Sequence, residues 1–385
     1  MAKESLGLLG YDSFHFAVHD AERSRSFYAE KLDFRLIATS SEAAIEARGE
    51  RSDVYAAGDA RVVVTRPERD DSQAAKYLRR HPAGVTTLAF TVRDAAHTLR
   101  VLESRGATVL AELEEDTRDG GHYRAFEVAT PLGEVRFRFV ERENYPLFSP
   151  SMRAVPHDDS PNRFGIALID HITSNMRTMA PHLLWLEHVL GFERYWDVKF
   201  HTDDLRKGAG SGLKSTVMWD PESGIKFANN EPLRPRWDAS QIAKFVDDNA
   251  GAGVQHAALL MNDLVSTVRD LRENGVEFLG TPGSYYDALP ERMAERKVSN
   301  LVEDIETLRA LQILVDGRDD KYMTQIFMKE AALLYSEREA GPFFFELIAR
   351  RGYPGFGEGN FRALFDAIER EQTHASGNLD EQPVS

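Results

Sequence analysis

There is no cysteine among the 385 residues. That absence excludes disulfides, thiolate zinc sites, iron–sulfur clusters and cysteine nucleophiles. It fits a reducing compartment, and a cytoplasmic location is expected. No apolar run reaches the ~18–20 residues of a membrane-spanning helix. The opening MAKESLGLLGYDSF has no basic region followed by an apolar stretch, so no signal peptide and no membrane contact are expected. Positive charge is scarce too: 47 Lys and Arg stand against 62 Asp and Glu, a formal charge of −15. Such a chain repels phosphate backbones, and nucleic acid is not an expected partner. The remaining composition, 42% hydrophobic and 28% charged, is that of a globular protein. At ~100–200 residues per domain, the length predicts two or three domains.

What is present is an internal repeat. Residues 84–112 read GVTTLAFTVRDAAHTLRVLESRGATVLAE, and residues 253–281 read GVQHAALLMNDLVSTVRDLRENGVEFLGT. Each has an apolar run, an Asp, a helical pattern, then a Gly leading into a short strand. A second pair, YDSFHFAVHDAERSRSFYAEKLDFRLI (11–37) and IDHITSNMRTMAPHLLWLEHVLGFERYW (169–196), repeats strand, amphipathic helix and strand. A third closes each half: VRFRFVER (135–142) and FFFELIAR (343–350). The pattern predicts an α+β chain of two homologous domains, 8–145 and 165–372. Each is built from paired βαβββ modules that form open, barrel-like sheets. The Pro-, Ser- and Asp-rich stretch 144–165 reads as a linker. Residues 355–372 open with glycines and then take helical spacing, which predicts a C-terminal lid helix. The polar tail 373–385 has no periodicity and is expected to be disordered.

A duplicated chain supplies its own control: residues kept in both halves serve the fold, and those present in one half are candidates for function. With the strands in register, His171 stands where the first half has Ser13, His256 where it has Thr87, and Glu346 where it has Arg138. Two imidazoles and a carboxylate form the facial donor set of non-haem Fe(II) sites, with coordination positions left open. Zinc takes the same ligands, so the donors alone do not name the metal. A lone His in an apolar strand is more often a hydrogen-bonded structural residue. Glu346, however, sits between Phe343–Phe345 and Leu347–Ile348, where an unpaired carboxylate costs several kcal/mol. A cation is its simplest partner. His182 and His188 have no partner at metal-binding spacing, and His15 is out of register with His171; a structural role is expected for these three.

The motifs IDHITSN (169–175), SGLKSTVM (211–218), NNEP (229–232), SQIAKFVDDNAGAGVQHAAL (240–259), GVEFLGTPGSYYDAL (275–289), FFFELIARRG (343–352) and GFGEGNFRALFDAIEREQ (355–372) resemble the 4-hydroxyphenylpyruvate dioxygenases, two-domain members of the vicinal-oxygen-chelate superfamily. The resemblance covers nearly all of 165–372 and is weaker over 8–145. It implies Fe(II) on His171, His256 and Glu346. It also implies conversion of 4-hydroxyphenylpyruvate and O2 to homogentisate and CO2, a step of tyrosine and phenylalanine catabolism, by a homo-oligomer (dimer or tetramer). Phe327, Phe344, Phe356 and Phe361 match the family's aromatic wall. Gln325 matches a residue beside the iron, and Ser215, Asn230, Gln241, Gln255 and Asn360 match its polar substrate contacts. Apolar rings for a phenyl body and a few amides and a hydroxyl for its polar ends make chemical sense together. One departure is FANN before Glu231-Pro232, where many relatives have Pro-Ile-Asn or Pro-Leu-Asn; Asn230 is retained.

Three rival readings are distinguishable. A 4-hydroxymandelate synthase would share iron and substrate but tends to lose the residues matched by Asn230 and Phe361. An extradiol catechol dioxygenase would lack the 281–330 insertion and the GFGEGNF motif. A metal-free ligand-binding module of the same fold would not retain the two imidazoles and the carboxylate.

Overall fold

The computed structural model describes residues 4–158, 160–201, 212–234, 237–357 and 359–360. The expected disordered tail, most of the expected lid helix and Phe361 lie outside the described residues. Seventeen strands form two sheets among the described residues. The first sheet contains β1 (Leu8–Ala17), β2 (Arg35–Ser40), β3 (Glu50–Ala57), β4 (Ala60–Pro67), β5 (Gly84–Val92), β6 (Val109–Arg118), β7 (Gly121–Ala129), β8 (Arg136–Glu143) and β9 (Met152–Ala154). Its order is β6-β7-β8-β5-β1-β4-β3-β2-β9. The second contains β10 (Ile166–Asn175), β11 (Glu193–His201), β12 (Gly212–Trp219), β13 (Lys226–Pro232), β14 (Gly253–Met261), β15 (Leu314–Arg318), β16 (Lys321–Phe327) and β17 (Phe344–Arg351). Its order is β11-β12-β13-β10-β14-β17-β16-β15. Each sheet is a curled half-barrel of two βαβββ modules joined where their first strands pair antiparallel, β1 with β5 and β10 with β14.

Period-2 alternation turns one face of each central strand inward and the other back toward the opposite half. Ser13 and His15 face the first half-barrel, and His171 and Thr173 the second. Phe14, Phe16 and Ile172 join a single hydrophobic core that runs between the sheets. Phe14 meets Phe345 at 5.8 Å and Phe16 meets Phe343 at 4.8 Å, so rings of the two halves interlock. The core holds β17 from behind and fixes the height at which Glu346 enters the barrel.

Two stretches differ from the sequence reading. Within the expected linker, β9 pairs antiparallel with β2, Ser40 opposite Met152 and Ala38 opposite Ala154. After β8 the chain turns through Asn144, at φ +50°, and a series of bends before β9, and pairing there covers the otherwise free edge of β2 even without a β-rich sequence. Second, the short strand expected after Gly275 is reduced to one bridge, Phe278 to Met328. Helices Gly283–Asp287, Leu289–Glu295 and Ile305–Leu311 intervene before β15. Among the described residues, no helix is long and apolar enough to cross a membrane.

Candidate metal centre

His171, His256 and Glu346 meet inside the second half-barrel. One donor atom from each lies within 4.8 Å of the others, and all three side chains are buried. Glu346 Oε2 is 3.3 Å from His171 Nε2 and 3.4 Å from His256 Nε2. Two donors on ~2.1 Å arms at right angles lie about 3 Å apart, so one cation fits against all three. Strand pairing explains the convergence. Ala258 on β14 pairs with His171 on β10 and with Glu346 on β17, while His256 sits one inward-facing step away. The small Ala258 side chain leaves the space between the ligands clear. The first half has the same registers: Ala89 pairs with Ser13 and Arg138, and Thr87 takes the place of His256. The expected equivalences therefore hold strand for strand.

Both imidazoles are oriented through their second nitrogen. His171 Nδ1 lies 2.8 Å from Asp170 Oδ1, and His256 Nδ1 lies 3.2 Å from Gln255 Oε1. Each oxygen is an acceptor, so the proton sits on Nδ1 and the Nε2 lone pair faces inward, the form that binds a metal. Burial alone would raise the Glu346 carboxyl, but the His171 and His256 rings outweigh it and hold Glu346 down at about 2. Burial lowers His256. It acts on His171 too, but there the neighbouring carboxylates of Glu346 and Asp170 win and raise the ring. Donor set, tautomers and ionised carboxylate all fit a divalent cation.

A cavity of about 30 Å³ opens at these ligands. Of the residues singled out in the sequence, Asn230, Gln241, Gln255, Gln325, Phe327 and Phe356 line it beside the metal-binding set. Asn230 faces Ser215 across the β12–β13 ladder. Gln241 opens the helix Gln241–Asp248, which Ser240 caps by accepting from Ile242 N–H at 3.2 Å. Phe344 packs on the His256 ring at 5.0 Å, and Phe356 on the His171 ring at 4.8 Å. Among the described residues, Ser215 Oγ, Asn230 Oδ1, Gln241 Oε1 and Gln325 Oε1 are buried without a hydrogen-bond partner. So many unanswered polar atoms around one site are costly unless a polar ligand engages them. Asn360 lies elsewhere: it is fully buried, its Oδ1 is 2.6 Å from Tyr285 Oη, and it does not border the cavity. Among residues missed in the sequence, Thr173, Leu213, Ala228 and Ile242 complete the lining. Asp170 and Arg350 stand behind His171, with Arg350 Nε 2.7 Å and Nη2 2.6 Å from the two Asp170 oxygens. A signal for them was in the repeat, which keeps an Asp and an Arg at the equivalent places, Asp12 and Arg142.

Two curled βαβββ half-barrels, one carrying a buried His-His-Glu set that could hold a metal ion, define the class. Residues 10–139 and 168–293 match the family described as the Glyoxalase/Bleomycin resistance protein/Dioxygenase superfamily. Among curated proteins, the 4-hydroxyphenylpyruvate dioxygenase of Dictyostelium discoideum is 32% identical over 380 residues, covering 96% of this chain and all of that protein. The Caenorhabditis elegans protein of the same name is 33% identical over 98% of this chain and 95% of its own. Among solved structures, a mutant 4-hydroxymandelate synthase from Streptomyces coelicolor superposes with a TM-score of 0.78 at 27% identity, covering 95% of this chain and 99% of its own. The chain belongs, within that superfamily, to the 4-hydroxyphenylpyruvate dioxygenase family.

Proposed function

We propose that the protein is an Fe(II)-dependent dioxygenase that converts 4-hydroxyphenylpyruvate and O2 to homogentisate and CO2 in the cytoplasm, as a homo-oligomer. Residues 8–145 form a domain without metal ligands and 165–372 the catalytic domain. The observation that carries the reading is the buried His171, His256 and Glu346 set at a cavity walled by rings and unpaired amides. Iron bound there would leave open positions for a 2-oxo acid and O2 and would supply the redox chemistry that activates O2. The protein's own part is shape and polarity. Phe327, Phe344 and Phe356 hold the ring. Gln325, Gln241, Asn230 and Ser215 offer hydrogen bonds to the keto acid and the phenol, with Gln255 fixing His256.

The cavity is far below the ~300 Å³ at which small-molecule sites begin, so its wall must yield to admit substrate. Phe356 is suited to move, because it lies between Gly355 and Gly357, and Gly357 has φ +73°. Its return would exclude water from the reaction. In this reading Asn360 anchors the start of the lid instead of touching substrate.

A second reading, 4-hydroxymandelate synthase, is favoured by the similar solved structure. It would oxidise the benzylic carbon instead of the ring. Anaerobic loading with Fe(II), then 4-hydroxyphenylpyruvate and air, decides between them. Homogentisate is expected; 4-hydroxymandelate would transfer the assignment to the second reading. Metal analysis that finds no Fe(II) uptake would favour a metal-free binding module.

A further inference from the structure

The same ion pair stands in both halves, and only one half has a metal ligand to orient. In the first, Asp12 accepts from Arg142 Nη1 at 2.7 Å, and Arg142 also donates to Phe148 O from Nε at 3.1 Å and Nη2 at 2.9 Å. In the second, Asp170 receives the Arg350 fork at 2.6 and 2.7 Å, while Arg350 Nη1 donates to Tyr353 O at 2.8 Å and Gly355 O at 2.7 Å. Asp12 and Asp170 each precede the first ligand position, and Arg142 and Arg350 each lie four residues after the third. The shared part is a clasp: it joins β1 or β10, across β5 or β14, to the turn that follows β8 or β17.

What differs is the load on the clasp. The second oxygen of Asp12 accepts from the Ser13 hydroxyl, at 2.9 Å. Asp170 Oδ1 takes His171 Nδ1. The turn held by Arg142 carries Phe148 to the mouth of the first half-barrel. The turn held by Arg350 carries Phe356 onto the His171 ring. Arg350, Asp170, His171 and Phe356 thus close a ring of contacts. A carboxylate alone can rotate, and with it the imidazole it holds; a bidentate guanidinium fixes the carboxylate plane.

We propose that Arg350 is a positioning residue, one guanidinium that sets both the orientation of His171 toward the metal and the placement of Phe356 over it. The proposal rests on the reading of His171 as a metal ligand. It couples substrate admission to ligand geometry, because a Phe356 turn that swings out pulls on the same group that holds Asp170.

The test compares Arg350→Met and Arg350→Lys with Arg142→Met, in the full chain. Three readouts are taken: Co(II) affinity with its visible ligand-field spectrum, amide exchange of residues 353–357 in the metal-free protein, and melting temperature. Loss of a group that orients a ligand lowers metal affinity about 10–100-fold. Arg350→Met is expected to show that loss, an altered Co(II) spectrum and faster exchange in the turn. Arg350→Lys keeps the charge without the fork, so it should recover melting temperature but not affinity or spectrum. Arg142→Met should melt lower yet bind Co(II) within twofold of the wild type. Wild-type affinity and spectrum in Arg350→Lys would overturn the proposal, and so would an equal affinity loss in Arg142→Met. Should Arg350→Met fail to fold, the lysine variant decides. His256→Ala separates the underlying reading: undiminished Co(II) binding there would remove the metal site itself, and this proposal with it.

Discussion

Arg138 and Glu346 occupy the same point of two equivalent strand ladders. Arg138 is opposite Ala89 on one side and Glu127 on the other, and Glu346 is opposite Ala258 and Phe327. In the first half the position is self-satisfied: Arg138 donates to Glu127 at 2.7 Å and to the Tyr123 hydroxyl at 2.9 Å. Its half-barrel holds a larger cavity, about 590 Å³, but ion pairs on its wall answer one another. In the second half the carboxylate faces two imidazoles and is answered only by a cation or their protons. Glu346→Ala and His256→Ala are therefore expected to abolish both iron retention after anaerobic loading and turnover. Arg138→Met leaves Glu127 without its main partner. Because both groups are partly solvated, the cost should be about 2 kcal/mol, below the 3–5 of a fully buried pair. Iron content should stay at the wild-type level. Iron loss in Arg138→Met or Thr87→Ala would show that the first half is not free of metal function.

The candidate donors His171, His256 and Glu346 were legible in the sequence because the chain contains its own reference copy. No spacing rule connects residues 85 or 90 apart, but a His, His and Glu opposite Ser, Thr and Arg stand out once the strands are aligned. The same comparison hid Asp170 and Arg350. It discards what both halves keep, and a clasp taken over for ligand orientation looks like fold. Asn360 was assigned to the pocket by its motif, whereas its placement depends on Tyr285, in an insertion that the first half lacks. The β9 strand was illegible for a different reason: its pairing follows from a free edge on β2, more than a hundred residues earlier, and not from local propensity.

Gly357 gives a sharp steric test. At φ +73° it is in the left-handed region that favours glycine, and a Cβ there would lie 2.6 Å from both Gln325 Oε1 and Met323 Cε. Gly357→Ala should displace Gln325 from the cavity wall and cost about 1–2 kcal/mol from backbone strain. Turnover should fall at least tenfold while Fe(II) uptake stays near wild type, because no ligand is moved. Steady-state rates alongside iron analysis would check this, and an unaltered kcat would mean that Gln325 has no part in the reaction.

The Tyr285 hydroxyl lies 2.6 Å from Asn360 Oδ1 and accepts from Val315 N–H at 2.8 Å. Beside it, Asp316 Oδ2 accepts from Gly359 N–H at 2.9 Å. These contacts pin the chain just after Phe356. Tyr285→Phe leaves buried groups unanswered, a loss of about 1–3 kcal/mol. It should loosen 359–360 enough that more O2 is consumed than homogentisate formed. Oxygen uptake measured against product gives the ratio; a ratio still at one would detach this anchor from closure.

His182 allows a pH prediction away from the metal. It is buried among Phe137, Trp185 and Phe227, and among the described residues neither ring nitrogen has a hydrogen-bond partner. Burial pushes the ring down to about 3 from its ordinary value near 6.5. The unfolded chain therefore binds this proton as pH falls below about 6.5, and the folded chain does not until about 3. The sign follows: the stability held by the neutral ring is complete above about 6.5 and is lost progressively as pH falls toward 3. Between pH 7.5 and 5.0 the loss from this one group is about 2 kcal/mol. His15, lowered to about 4 by burial and by Arg138, acts in the same direction and remains in the variant. His182→Phe keeps an aromatic ring of similar size among the other three and removes the titration. Urea unfolding at both pH values should show the variant losing about 2 kcal/mol less than the wild type. Equal losses would mean that the folded protein already accommodates a charged His182 at pH 5.0.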